Sequence, residues 1–260
     1  MTTPARATFA PRPGAAPVAQ QLLTQAGMEA RLMLRNGEQL LLALVIPVMV
    51  LVGAVQGAER VGLDLDGRPV DVFTPGVLAL AALSTAFTSL AIATGFERRY
   101  GILKRLGTAP LSRMTLLGGK VLALLAVQVL QFVVIGGVGV ALGWDGPDGI
   151  VGHLGVLLAA LCGTAAFASL GMLLAGTLRA EATLAAANLV YLLLLGGGAV
   201  VLPAEAYGGL ESWVTWLPSG ALGEAMRSAC DGTIDAGHLV VLVLWAALGT
   251  ALTARTFKWE

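Results

Sequence analysis

Six stretches of this chain contain no Asp, Glu, Lys or Arg: Gln39 to Ala58, Val72 to Phe96, Val121 to Trp144, Gly149 to Leu178, Ala182 to Ala204 and Ala236 to Ala254. They run for 20, 25, 24, 30, 23 and 19 residues, and an α-helix needs roughly 20 to cross the hydrocarbon core of a bilayer. Six transmembrane helices are therefore expected, over about 39–58, 72–96, 117–144, 150–178, 182–203 and 236–254. A spanning β-barrel would show short segments of alternating polarity, whereas these runs are continuously apolar and rich in Leu, Ala and Gly. With 57% hydrophobic residues, 12% charged residues and a mean hydropathy of +0.82, the chain has more apolar surface than a soluble core of its length buries. The fold class is an all-α membrane protein. Gly53 and Gly57, and Gly139 and Gly143, recur at the four-residue spacing that lets membrane helices approach closely. In a chain with 34 Gly they support close packing in general and single out no interface.

The distribution of charge sets the orientation. Arg6, Arg12, Arg31 and Arg35 precede the first run, Arg98, Arg99, Lys104, Arg105, Arg113 and Lys120 follow the second, Arg179 follows the fourth, and Arg255 and Lys258 follow the sixth. Together they place 13 of the 16 Lys and Arg on one side. The other side holds Arg60, Arg68 and Arg227 with 11 of the 16 acids, among them Asp64, Asp66, Asp71, Asp145, Asp148, Glu205 and Glu211. The positive-inside rule then puts both termini in the cytoplasm.

Residues 1–17, rich in Pro, Ala and Thr, read as a disordered tail. They are not a cleavable signal peptide, because the first apolar run starts late and no small-residue cleavage site follows a charged start. From Val18 to Asn36, Val18, Leu22, Ala26, Ala30 and Met33 recur at helical spacing, with Gln21, Gln25, Glu29, Arg31 and Arg35 on other faces. That pattern suits a helix lying in the membrane interface, and equally one packed on the protein's own cytoplasmic side. Between the last two runs, Trp213, Trp216 and Leu217 form an aromatic-apolar patch, Pro218 interrupts, and Ser219 to Cys230 forms a further short helix ended by Asp231 and Gly232. Short helices dipping back toward the outer face, with the tryptophans at headgroup depth, are expected there; the other reading is a solvated loop anchored by two interfacial tryptophans.

Several chemistries are excluded. Gly118-Gly119-Lys120 is followed by Val121 rather than Ser or Thr and lacks the Gly five residues before Gly119, so no P-loop is present and ATP must be hydrolysed by another chain. The runs contain no ionisable carboxylate or amine for intramembrane catalysis or ion-coupled transport, and His153 and His238 stand near outer ends. Gly196-Gly197-Gly198 either loosens the fifth helix or packs it closely against a neighbour. Cys162 and Cys230 suggest neither a disulfide framework nor a metal cluster and read as plain structural thiols. Uncharged polar residues do occur in the spans: Ser84, Thr85, Thr88 and Ser89 in the second, Gln128 and Gln131 in the third, Asn188 and Tyr191 in the fifth. Ser84 and Thr88 share one helix face, and Thr85 and Ser89 a neighbouring one. The two readings are hydrogen bonding between helices and, for Ser84, Thr85, Thr88, Ser89, Asn188 and Tyr191, the lining of a path for a mostly apolar substrate.

The strongest signal lies in the basic loop after the second run, FERRYGILKRLGTAPLSR from Phe96 to Arg113. Phe96, Tyr100, Leu103 and Leu106 recur at helical spacing, Glu97, Arg98, Lys104 and Arg105 point elsewhere, and Pro110 stops the helix. Apolar residues provide fit and cations provide steering and register, so this short amphipathic helix suits docking of a cytoplasmic partner. The alternative is retention at anionic headgroups.

The loop resembles that of the permease subunits of ABC-2 type transporters, which has an acidic start, a GTLKRL-like run and a TPLS-like ending. Here these stand as Glu97, Gly101 to Leu106, and Thr108-Ala109-Pro110-Leu111-Ser112. Trp216-Leu217-Pro218 followed by Glu224-Ala225-Met226-Arg227 is similar to the family's outer segment before the last helix. Arg99 stands where many relatives have a second acid, Ile102 replaces Thr, Ala109 is an insertion, and Gly220-Ala221 replaces bulkier residues. The resemblance implies a half-transporter that pairs with a second six-helix permease, identical or related, above two copies of an ABC ATPase subunit. ATP and magnesium would sit on that partner, with no cofactor in this chain and no nucleic acid bound. It also implies that Phe96, Glu97, Arg98, Tyr100, Gly101, Leu103, Lys104, Arg105, Leu106 and Pro110 couple the ATPase to the pathway. Trp213, Trp216, Pro218, Glu224 and Arg227 mark a candidate outer gate.

The expected function is a permease, without enzymatic activity of its own, for outward movement of a hydrophobic or amphipathic, drug-like small molecule across a bacterial plasma membrane. The alternatives are a lipid or lipid-linked saccharide as cargo, and a non-transporting membrane sensor or assembly component. A channel fits least, since no ring-forming charges occupy the spans.

Overall fold

In hydrocarbon every backbone N–H and C=O must be satisfied within the protein, so long apolar stretches fold as helices. The computed structural model describes residues 16–35, 37–62, 65, 67–106 and 112–257, without the side chains at 38–42, 103 and 113. Most of the tail expected over 1–17, and residues 107–111 of the basic loop, lie outside the described residues. In chain order the elements are α1 (Val18–Arg35), α2 (Gly37–Val61), α3 (Pro69–Leu83), a π-helical segment (Ser84–Ser89), α4 (Leu90–Arg99) and α5 (Ile102–Leu106). They continue with α6 (Arg113–Ala141), α7 (Gly149–Thr177), α8 (Ala180–Gly197), a 3-10 helix (Ala204–Leu210), α9 (Glu211–Val214), α10 (Pro218–Cys230) and α11 (Ala236–Thr256). No strand occurs among the described residues.

Among the described residues, six helices are long and apolar enough to span a membrane: Ala43–Val61, Pro69–Arg99, Met114–Ala141, Gly149–Thr177, Ala180–Gly197 and Ala236–Thr256. The second is α3, the π-helical segment and α4 in one continuous rod of 31 residues. It is also the hub. In its most apolar stretch 72% of the residues are buried, against 11% to 44% for the other five. Its small residues Ala79, Ala81, Ala82, Ala86 and Ala91 lie fully inside the main core beside Leu80, Leu83 and Phe167.

Several spans depart from the charge-free runs, three of them for physical reasons visible in the structure. The second continues past Phe96 through Glu97, Arg98 and Arg99 because all three charges find partners on neighbouring helices. The fifth stops at Gly197 rather than near 203, because the backbone carbonyls that follow are used by a distant side chain described below. The third begins at Arg113, where the Ser112 hydroxyl accepts a hydrogen bond from the Thr115 N–H at 3.0 Å and caps the helix.

The spans alternate direction, so the bundle has one basic end, carrying α5 and the α7–α8 junction, and one acidic end. At the acidic end α10 re-enters the bundle. Eleven of its residues, from Pro218 to Cys230, are buried, and small residues on every face let it lie between α3 and α7. Gly76 of α3 sits so close to the loop after α8 that an added Cβ would lie 2.6 Å from the Val201 carbonyl oxygen.

Candidate functional site

The basic loop is tied to three other helices, α6, α7 and α8, and through Lys120 of α6 to α1. Its first half is the end of α4, and the single amphipathic helix expected over Phe96 to Leu106 is broken in two. Tyr100 closes α4, Gly101 takes φ +67, and α5 starts at Ile102. The Tyr100 N–H bonds back to the Phe96 carbonyl at 2.9 Å and the Gly101 N–H to the Arg98 carbonyl at 3.1 Å, a left-handed helix ending that glycine adopts without a Cβ clash. Phe96 and Tyr100 therefore stack on each other, centroids 6.2 Å apart, rather than extending an apolar stripe into α5. Gly101→Ala is expected to cost about 1 kcal/mol for forcing Cβ into this conformation, read as a lower thermal midpoint of the purified protein in detergent.

Glu97 faces inward. Its Oε1 accepts from the Lys120 Nζ of α6 at 2.6 Å, and the same Nζ donates to Glu29 Oε1 of α1 at 2.9 Å. Gln25 Nε2 adds a bond to Glu29 Oε1 at 3.0 Å. Lys120 is 6% exposed and Glu29 9%, so this is a buried cation between two carboxylates. The placement of Gln25 and Glu29 away from the packed face of α1 is thus corrected: both turn inward because Lys120 is there to meet them. Leu22, Ala26, Ala30 and Met33 share that inward side, while Leu23, Met28 and Leu32 of α1 are exposed. Helix α1 packs on α6, where Gly118 and Gly119 leave room for Leu22 and Gln25.

The neighbouring arginines reach other helices. Arg98 donates to the Gly176 carbonyl at 2.7 Å and to the Leu178 carbonyl, at the C-terminus of α7. Arg99 pairs with Glu181 in the first turn of α8 and lies 5.8 Å from the centre of the Tyr100 ring. Beyond Gly101, Leu106 tucks into a small cavity with Thr94, Leu116, Leu117, Lys120, Met172 and Phe257. Tyr100, Ile102, Lys104 and Arg105 stay on the exposed side of this tethered projection. Pro110 and the side chain of Leu103 lie outside the described residues.

Inside the bundle the polar residues fall into two groups. Thr85 donates to Gln131 Oε1 at 2.9 Å, and Gln131 Nε2 donates to the Ala43 carbonyl of α2 at 2.9 Å. Gln128 Nε2 donates to the Ala82 carbonyl just before the π-helical segment at 3.3 Å, and Thr164 donates to Gln128 Oε1 at 2.8 Å. These are interhelical hydrogen bonds joining four spans. Ser84, Thr88 and Ser89 are half-buried, the Thr88 hydroxyl has no partner among the described residues, Tyr191 is half-buried and Asn188 exposed. The π-helical segment that carries the Ser and Thr residues packs against α8, which carries Asn188 and Tyr191.

At the acidic end, Pro218 opens α10 and is buried, whereas Trp213 and Trp216 are 74% and 64% exposed. The Trp216 carbonyl accepts from Trp245 Nε1 of α11 at 2.9 Å, which anchors that turn. Buried Arg227 pairs with half-buried Glu224 at 2.7 Å. The Arg227 guanidinium also donates to four consecutive carbonyls: Ala199 at 3.0 Å, Val200 and Val201 at 3.4 Å, and Leu202 at 3.3 Å. Glu224 Oε1 in turn accepts from the Ala204 N–H at 2.9 Å. This cradle takes residues 199–202 out of the α8 helix, and Ala199 adopts φ +50 within it. A cavity of about 560 Å³ opens beside it, lined by Asp71, Glu205, Glu224, Arg227 and Asp231 among others. Burial and the nearby Asp71 raise the Asp231 carboxyl above the usual carboxylate range, against the pull of Arg227. Burial, reinforced by Asp231, pushes the Cys230 thiol up to about 12, so it is protonated and unreactive at neutral pH.

Lys120, Glu29 and the carbonyl cradle were not singled out by sequence reasoning. A signal for Glu29 exists: it stands three residues after Ala26 and four before Met33, on the packed stripe of α1.

Six apolar spans, a tethered basic projection at one end and a re-entrant helix at the other define a multi-pass membrane protein. Residues 68–255 match the family described as ABC-2 family transporter protein, 188 of the chain's 260 residues, and the chain belongs to that family. No curated protein matches it. Family membership makes it the membrane permease of an ABC transporter, a component without its own ATP site that works with an ABC ATPase partner.

Proposed function

We propose that this permease is the membrane half of an exporter that moves a hydrophobic or amphipathic small molecule outward, driven by two separate ATPase subunits and paired with a second six-helix permease. The basic end faces the cytoplasm in this reading, following the side that holds 13 of 16 cations. One observation carries it: the loop presents Tyr100 and, on α5, Ile102, Lys104 and Arg105 outward, while Glu97, Arg98 and Arg99 tie its base to α6, α7 and α8. A surface meant only to rest on lipid headgroups needs no such tethers. A surface that receives a push does.

The cargo path runs along the π-helical segment facing α8. Thr85 is occupied by Gln131, leaving Ser84, Thr88 and Ser89 opposite the helix that carries Tyr191 and Asn188 as its polar lining. Weakly polar walls suit a mostly apolar cargo, and π-helical insertions are frequent at functional sites. The outer gate comprises Trp213, Trp216 and Pro218 at the turn into α10, together with the Glu224–Arg227 pair of α10, which lines the cavity at the acidic end.

The test is the double variant Lys104→Glu, Arg105→Glu, co-expressed with the ATPase. Placing two acids where two cations steer the partner is expected to weaken association roughly tenfold or more and to remove substrate-stimulated ATPase activity. Wild-type association of the double variant would overturn the docking role.

A further inference from the structure

We infer that Arg98 is a positioning residue that hands movement of the basic projection to the acidic-end mouth, through α7 acting as a rod. The inference rests on the docking role proposed above. The last carbonyls of any helix lack intrahelical partners and carry the negative end of its dipole. In α7 those groups are claimed by Arg98, through Gly176 and Leu178. A displacement of the loop base therefore acts directly on the end of α7.

Helix α7 is suited to carry that displacement. It has 29 residues and no proline, hence a length of about 43 Å, and reaches from the basic end to the acidic end. It is seated without slack along its course. A Cβ on Gly171 would lie 2.9 Å from the Phe87 carbonyl oxygen of the π-helical segment, one on Gly163 2.6 Å from Leu222 of α10, and ones on Gly155 and Gly152 each 2.8 Å from Ala229. Close-packed contacts of this kind transmit strain rather than absorb it. At its far end the Asp148 N–H before α7 bonds to the Cys230 carbonyl that ends α10, at 2.9 Å. Helix α10 carries Arg227, whose guanidinium holds carbonyls 199–202 in their non-helical course. The chain of contacts is thus Arg98, α7, α10, Arg227 and the loop after α8. The competing route, straight along the second span, passes through the π-helical segment, where the regular helical ladder is interrupted.

The experiment uses the permease–ATPase complex in nanodiscs, with hydrogen exchange compared between the nucleotide-free and ATP–vanadate states. In wild type, exchange is expected to change both at 102–106 and at 199–204. Arg98→Gln should keep the change at 102–106 and reduce that at 199–204 roughly fivefold or more, the lower bound of an ordinary coupling free energy. Arg98→Lys, still a cation able to donate to the α7 carbonyls, should restore part of it. A merely structural arginine would not separate the two segments. Gly163→Val, which pushes α10 off α7 without touching the basic end, should reproduce the same separation and decides the matter if Arg98→Gln does not assemble. A full response at 199–204 in both variants would overturn the rod while leaving docking intact. A wild-type complex with no change at 102–106 would overturn docking, and the rod with it.

Discussion

Arg227→Ala should destabilise the purified permease by about 3–5 kcal/mol, the range for removing one partner of a buried ion pair, seen as a lower midpoint in a fluorescence melt in detergent. The guanidinium is 9% exposed and satisfies Glu224 together with four carbonyls in a row. Its loss leaves a carboxylate 13% exposed, with the Ala204 N–H as its remaining neutral donor, and strands carbonyls pressed against Gly76, where a Cβ would lie 2.6 Å from the Val201 oxygen. The neighbouring cavity of about 560 Å³ admits water to the Glu224 side, which holds the cost within that range rather than above it. Arg227→Lys should recover less than half of the loss, because an ammonium has three donors at one point and cannot span carbonyls that the five-donor fork of arginine reaches together. A wild-type midpoint for Arg227→Ala would show that residues 199–202 hold their course without the cradle.

How much of this was legible follows from which interactions are local. The six spans were, because a bilayer demands roughly 20 apolar residues per crossing and the charge-free runs meet it one by one. Their ends were not, wherever a charge is neutralised by a distant partner. Phe96 is the last uncharged residue of the second run, yet the helix goes on to Arg99 because Lys120, Gly176 and Glu181 receive the next three side chains. The fifth run stays apolar to Ala204, yet its helix stops at Gly197, since the residue that unwinds it lies 28 positions from Ala199. Periodicity located the basic loop but merged α4 with α5, because a glycine within an otherwise helical spacing does not announce its φ. Thr85 carried two readings, path and packing, and its hydroxyl donates to Gln131 of the third span. Glu29 and Lys120 are 91 residues apart, and no local pattern pairs them.

Lys120→Met should be as disruptive as the loss of Arg227, because it too removes a buried cation. Here that cation is shared by two acids. Glu29 and Glu97 would remain facing each other, 11% and 18% exposed, with the Gln25 amide on one of them and Glu97 Oε2 already buried without a partner among the described residues. Like charges in a desolvated site cost several kcal/mol, about 3–5 by the measure of broken buried pairs. The least anchored element should yield first. Helix α1 packs mainly on α6 and presents Leu23, Met28 and Leu32 outward, so its exchange protection and resistance to protease should fall before those of the six spans. Replacing all three charges at once by apolar side chains, Glu29→Met, Glu97→Met and Lys120→Met, is expected to return the melt to within about 1 kcal/mol of wild type, since well-packed hydrophobic substitutes of similar volume often match a buried ionic cluster. Stability and coupling then part company. With its base no longer held to α6 by an ion pair, α5 should still bind the ATPase through Lys104 and Arg105 but transfer less of its movement, giving lower transport per ATP hydrolysed at an unchanged melting midpoint. If the triple variant is both stable and fully coupled, the triad serves to seat α1 and nothing more.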